Sequence, residues 1–123
     1  MNEDNELEFF GSYFPDEILE TLIYYDMPRS FTINSSKGDL LLAHWLDTIK
    51  DDDIYVVVLV NEQIINDLKN YKITVYDCLN REPLWVVKQN HDGTLTRTSR
   101  HTLEEVDRLY PNSLPKKGIY LYG

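Results

Sequence analysis

The sequence has a single cysteine, Cys78, so no disulfide can close within the chain, and the composition predicts a reducing compartment, the cytoplasm. It also lacks a long hydrophobic run. The longest strongly apolar stretch, Ile54 to Val60, is strand-sized and far short of the roughly 20 residues of a membrane span. Basic residues are missing from the start: Met1 to Glu6 is acidic, the reverse of a signal peptide. Gly38, Gly93 and Gly118 form no phosphate-cradling loop, and no Walker or dinucleotide fingerprint is present. His44, His91, His101 and Cys78 include no pair at the tight spacing of zinc ligands, so neither metal nor cofactor is expected.

What is present fits one domain, residues 1–123, which at this size buries about two-thirds of the surface its unfolded chain exposes. The net charge is -9, and it is segregated. Residues 1–26 hold eight acids and no Lys or Arg, whereas 27–123 hold 13 acids and 12 bases. Such asymmetry marks a solvated acidic leader, here 1–12 and weakly ordered, or a face that meets a basic partner. Nonspecific binding to nucleic acid is disfavoured at this charge. Arg97, Arg100, Arg108, Lys116 and Lys117 are interrupted by Glu104, Glu105 and Asp107, giving a mixed surface and no binding stripe.

Along the chain, Phe14-Pro15-Asp16-Glu17 has the composition of a helix start, and Ile18, Leu19, Leu22 and Ile23 make one apolar stripe, so a helix is expected up to the Asp26-Met27-Pro28 break. Strands are expected over Ser30–Asn34, Asp39–Ile49 and Ile54–Val60, joined as an antiparallel meander by short turns. The last of these, rich in valine, suits the covered centre of a sheet. Asn61 then caps a helix over Glu62–Asn70, Thr74 and Asp77 have the spacing of a capping box for one helical turn over 75–80, and Leu84–Gln89 pairs with Thr94–Ser99 through His91-Asp92-Gly93. A better capping box, Thr102 to Glu105, opens a helix that Pro111 ends, and Gly118–Tyr122 reads as a last edge strand.

No coherent catalytic set emerges. Cys78 lies beside Val75 and Leu79 on an apolar helix face, as a buried inert thiol does. Asp51-Asp52-Asp53 falls in a solvent-facing turn, a poor place to raise a carboxylate pKa. His44 with Asp47 is the weak remainder. The nine tyrosines say more: Tyr24, Tyr25, Tyr110, Tyr120 and Tyr122 gather near element ends, and tyrosine is favoured at interfaces because one ring joins apolar area to a hydrogen bond.

Tyr25-Asp26-Met27-Pro28-Arg29-Ser30-Phe31, then Leu42-Ala43-His44-Trp45-Leu46-Asp47, the strand from Tyr55, the helix over 62–69 and Ile73-Thr74-Val75-Tyr76-Asp77 give the order Tyr-Asp-x-Pro-Arg-x-Phe, Trp-x-Asp, valine-rich strand, short helix, helical turn. Over residues 22–87 this resembles a family of small bacterial domains of unknown function. The resemblance implies a fold more than an activity, and a role as an accessory domain of bacterial or phage systems. Physically, Arg29 can fork onto Asp26 or Asp47 and fix the corner, or can join Tyr25 and Trp45 on a recognition surface.

The expected fold is α+β, an antiparallel sheet of about five strands, meander plus hairpin, with two or three helices packed on one side. The expected function is a non-enzymatic protein-interaction module, a subunit or regulator in a bacterial or phage complex, with defence among the settings. Its contact candidates are Tyr24, Tyr25, Asp26, Arg29, Trp45, Asp16, Glu17 and Glu20, and its partner a protein with a basic surface. An acidic inhibitor that imitates nucleic acid and a small hydrolase or nuclease around His44 and Asp47 are the alternatives.

Overall fold

The computed structural model describes residues 18–24 and 26–121; the leader at 1–12, Asp16, Glu17, Tyr25 and Tyr122 lie outside them. The elements in chain order are β1 (Glu20–Tyr24), β2 (Pro28–Asn34), β3 (Leu40–Ile49), β4 (Asp52–Leu59), α1 (Glu62–Lys69), α2 (Val75–Leu79), β5 (Leu84–Gln89), β6 (Leu95–Arg100) and α3 (Leu103–Leu109). All six strands join one antiparallel sheet whose spatial order is the chain order. The α+β class holds, with six strands among the described residues where about five were expected.

The additional strand is β1, where the spacing of Ile18, Leu19, Leu22 and Ile23 suggested a helix. The run Thr21-Leu22-Ile23-Tyr24 is rich in β-branched and aromatic side chains, which fit a half-buried pleated surface better than a helix. The edge of β2 supplies the ladder, with Glu20 opposite Thr32 and Thr21 opposite Phe31, and a register shift around Leu22 and Ile23 bends the strand. Over residues 118–121 the expected last strand does not form. There the carbonyl of Ile119 accepts the Val75 N–H at 3.0 Å, so the tail is tied to the start of α2.

The alternation of β3 and β4 builds two cores. Leu42, Ile54, Val56 and Val58 join Leu84 and Val86 on one face, where α1 (Ile65, Leu68), α2 (Val75, Cys78, Leu79) and α3 (Leu103, Val106) pack. Leu41, Ala43, Tyr55 and Val57 lie on the other with Phe31, Ile33, Trp85 and Val87, all buried. On that second face Phe31 meets Tyr55 edge to face, 5.7 Å between centroids at 72°.

Local chemistry sets the connections. Lys50 and Asp51 both take positive φ (53° and 73°), the conformation of a two-residue hairpin turn, and Ile49 pairs with Asp52 across it. Asp53 is therefore a strand residue and not part of a solvent-facing turn. The caps fall where their residues predicted: Asn61 accepts the Ile64 N–H at 2.9 Å, and Thr74 with Asp77 and Thr102 with Glu105 form complete capping boxes.

Candidate functional site

The β1–β2 corner turns at Asp26, which takes a left-handed φ of 68°. Residue types that tolerate this conformation without glycine are few, and a short carboxylate side chain is one of them. The corner sets β1 against the 113–121 tail and leaves a groove between them. The groove widens into a cavity of about 890 Å³, within the size range of ligand pockets. Leu22 and Ile23 from β1, Val75 from α2, and Leu114, Ile119 and Leu121 from the tail make it apolar. Tyr24, Trp45 and Tyr120 bring aromatic rings, and Arg29 is the one formally charged side chain among the described lining residues.

Three of the sequence candidates, Tyr24, Arg29 and Trp45, thus line one cavity. The Arg29 guanidinium lies over the Trp45 ring at 4.1 Å, a cation–π contact that fixes its plane. Trp45 is held in turn, because its indole N–H donates to Thr48 Oγ1 at 3.2 Å and to Asp53 Oδ1 at 3.3 Å. Asp47, by contrast, accepts the N–H of Thr48 at 2.8 Å. Glu20 is committed elsewhere: its carboxylate takes the Lys69 ammonium at 2.7 Å and ties β1 to α1. Both partners are more than two-fifths exposed, so this pair contributes under about 1 kcal/mol. Asp26 is exposed at the corner and is not among the described lining residues. The residues that sequence reasoning missed are those of the tail, Leu114, Ile119 and Leu121; the only local signal was Tyr120, an aromatic near an element end.

His44 lines the same cavity. Its Nδ1 lies 3.0 Å from the Oγ of Ser30, which is opposite it in the β2–β3 register and fully buried. Burial lowers the imidazole pKa from 6.5 to about 4, so the ring is neutral at physiological pH. A serine and a histidine in contact supply two of the three groups of a hydrolytic triad, but Asp47, engaged with Thr48, does not orient the ring.

A second serine–histidine contact lies far along the chain. Ser99 Oγ is 2.9 Å from His101 Nε2, and His101 Nδ1 is 3.4 Å from Glu105 Oε1. The order of contacts is that of a triad, yet Glu105 Oε1 also accepts the Thr102 N–H at 3.0 Å as the capping-box acid of α3. That backbone bond is the main reason the Glu105 carboxyl titrates below its ordinary range. The cleft beside His101, about 230 Å³, is lined by Arg100 and Glu105 and not by Ser99. The arrangement caps a helix and presents no nucleophile to a substrate cavity.

Cys78 is fully buried, and burial pushes its thiol up to about 11, so it holds little thiolate at neutral pH. Among the described residues no three His, Cys, Asp or Glu side chains gather as a metal-binding set, and no helix is long and apolar enough to cross a membrane. In comparison with known proteins, no family model, no curated protein and no solved structure matches this chain.

Proposed function

We propose that the protein is a non-enzymatic protein-interaction module that takes its partner in the groove between β1 and the 113–121 tail. The observation that carries this reading is the rim. Of eight exposed large hydrophobic side chains among the described residues, three, Tyr24 (69%), Ile119 (47%) and Tyr120 (46%), border this one cavity. With Trp45 and Arg29, which line the same cavity, they give the Tyr, Trp and Arg composition of interface hot spots beside apolar lining residues. An exposed apolar rim over a cavity is unfavourable in water unless something covers it.

A role as subunit or regulator of a bacterial or phage assembly belongs to the same proposal and extends the expectation drawn from the sequence over residues 22–87. A basic partner surface is the proposal for the acid-rich first 26 residues; within the groove the described lining carries no carboxylate. The hydrolase alternative has less support, because His44 and Asp47 each serve a local structural contact.

The test is affinity capture from the native host with three baits: wild type, a Tyr24→Ala/Tyr120→Ala rim variant and a Tyr71→Ala/Leu109→Ala control with two equally exposed side chains elsewhere. Hot-spot truncations cost about 2 kcal/mol or more, so the rim variant should lose at least about tenfold in affinity for a partner that the control retains. A partner list unchanged by the rim variant would remove the groove from the account.

A further inference from the structure

We propose that the cavity between β1 and the tail binds a small, uncharged, mostly apolar molecule that presents one acceptor oxygen, as a ketone does, to the Nε2–H of His44. The inference goes beyond the interaction-module reading and makes no use of the exposed rim. His44 follows Leu42 by two positions on β3 and so shares its helix-side face, opposite Ser30 on β2 and Val56 on β4. Leu42 and Val56 are fully buried in the apolar core of that face. A serine–histidine pair set among such side chains costs free energy unless its hydrogen bonds are made, so the fate of each polar atom matters. Among the described residues Ser30 Oγ has one partner, His44 Nδ1 at 3.0 Å. A hydroxyl has one proton to give, and the buried Ser30 hydroxyl uses it only by donating to Nδ1. The proton of the neutral ring then sits on Nε2. Nε2 itself has no hydrogen-bond partner among the described residues, and no fully buried side-chain nitrogen or oxygen among them lacks one. Nε2 is therefore not sealed in the core, and it opens onto the cavity that His44 lines.

Size and charge set the class of ligand. The cavity, about 890 Å³, is several times the roughly 150 Å³ of a dry pocket that holds one benzene, so it takes a molecule of two or more rings or a chain of similar bulk. No carboxylate is among the described lining residues, so an ammonium group finds no counter-charge. Arg29, the one cation there, is stacked on Trp45 and makes a further interaction, so it is not counted toward a ligand anion. A carboxylate would exchange water for a neutral ring and apolar walls, which is unfavourable. One neutral donor among apolar side chains suits a neutral ligand and fixes its orientation through the acceptor oxygen.

The experiment titrates the full chain, followed by ¹H–¹⁵N NMR, with four probes built on one two-ring skeleton: benzophenone, diphenylmethane, diphenylacetate and benzhydrylammonium. The expected result is that benzophenone binds about tenfold tighter than diphenylmethane, which covers the Nε2–H without accepting from it, and that both ions bind more weakly than the ketone. His44→Phe, which keeps a ring of similar shape and removes the donor, should reduce the ketone's advantage to within about twofold while retaining diphenylmethane binding. The ring ¹⁵N shifts of the wild type should be those of the Nε2–H tautomer, and Ser30→Ala should move them toward a mixture of tautomers and weaken ketone binding in part, a signature that a loss of packing alone does not produce. The wild-type titrations and ring shifts decide the matter even where a variant fails to fold. Equal binding of benzophenone and diphenylmethane, tightest binding of either ion, an Nδ1–H tautomer in the wild type, or a ketone advantage that survives His44→Phe overturns the inference. Binding of none of the four probes up to their solubility limits overturns it as well. Each of these outcomes leaves the interaction module standing, because that reading rests on the rim and is tested by capture of the partner.

Discussion

Leu41→Ala is expected to destabilise the protein by about 2–5 kcal/mol, as much as Leu42→Ala, although the two side chains point to opposite faces of the sheet. Both are fully buried. Leu42 packs in the core that carries the helices, and Leu41 in the core formed with Phe31, Tyr55, Val57 and Trp85. Truncating either leaves a cavity that neighbours on two adjacent strands cannot close without moving the ladder. A sheet covered on one face alone would show a large loss for Leu42 and under about 1 kcal/mol for Leu41. Urea unfolding of the two variants, compared at constant slope, decides between these outcomes.

His44 provides the second large effect. Its folded pKa, about 4, lies below the unfolded value of 6.5, so between those pH values the unfolded chain binds more protons than the folded one. Stability is therefore fully present above pH 6.5 and falls as the pH drops toward 4. The contribution lost by pH 4.5 is at most about 3 kcal/mol, and less to the extent that water in the cavity reaches the half-buried ring. Carboxylates with lowered pKa, such as Glu105 and Asp92, also lose stability in acid, but at lower pH. Comparison with His44→Gln isolates the imidazole: the wild type should lose about 2 kcal/mol more than the variant between pH 7 and 4.5. Parallel pH profiles would mean that the imidazole titrates in the folded protein as it does in the unfolded chain.

Most of the fold was legible because its signals are local. Thr74 with Asp77 and Thr102 with Glu105 place two helix starts, Asn61 places a third, and the valine-rich apolar run before it has the pattern of a central strand. The β1 segment misled for a physical reason. The stripe Ile18, Leu19, Leu22, Ile23 fits a helical period, but the choice between helix and strand there was made by the free edge of β2, a partner no local pattern reveals. The site divides in the same way. Tyr24, Arg29 and Trp45 were recognisable by residue type near the corner, whereas Leu114, Ile119 and Leu121 reach the cavity through tail packing and are separated from β1 by about ninety positions of sequence. Nothing in a window of sequence pairs residue 22 with residue 121. Asp53 shows the converse: in sequence it is one of three acids in a turn, and in the fold it anchors the indole that supports Arg29.

The claim that the groove between β1 and the tail is where this protein recognises its partner is tested most directly by amide hydrogen exchange of the full chain, alone and saturated with its captured partner. The expected result is new protection over residues 19–24 and 113–121, with the α3 helix and the turn at 50–51 exchanging as before. Protection confined to α3 or to that turn, with β1 and the tail unchanged, would contradict it.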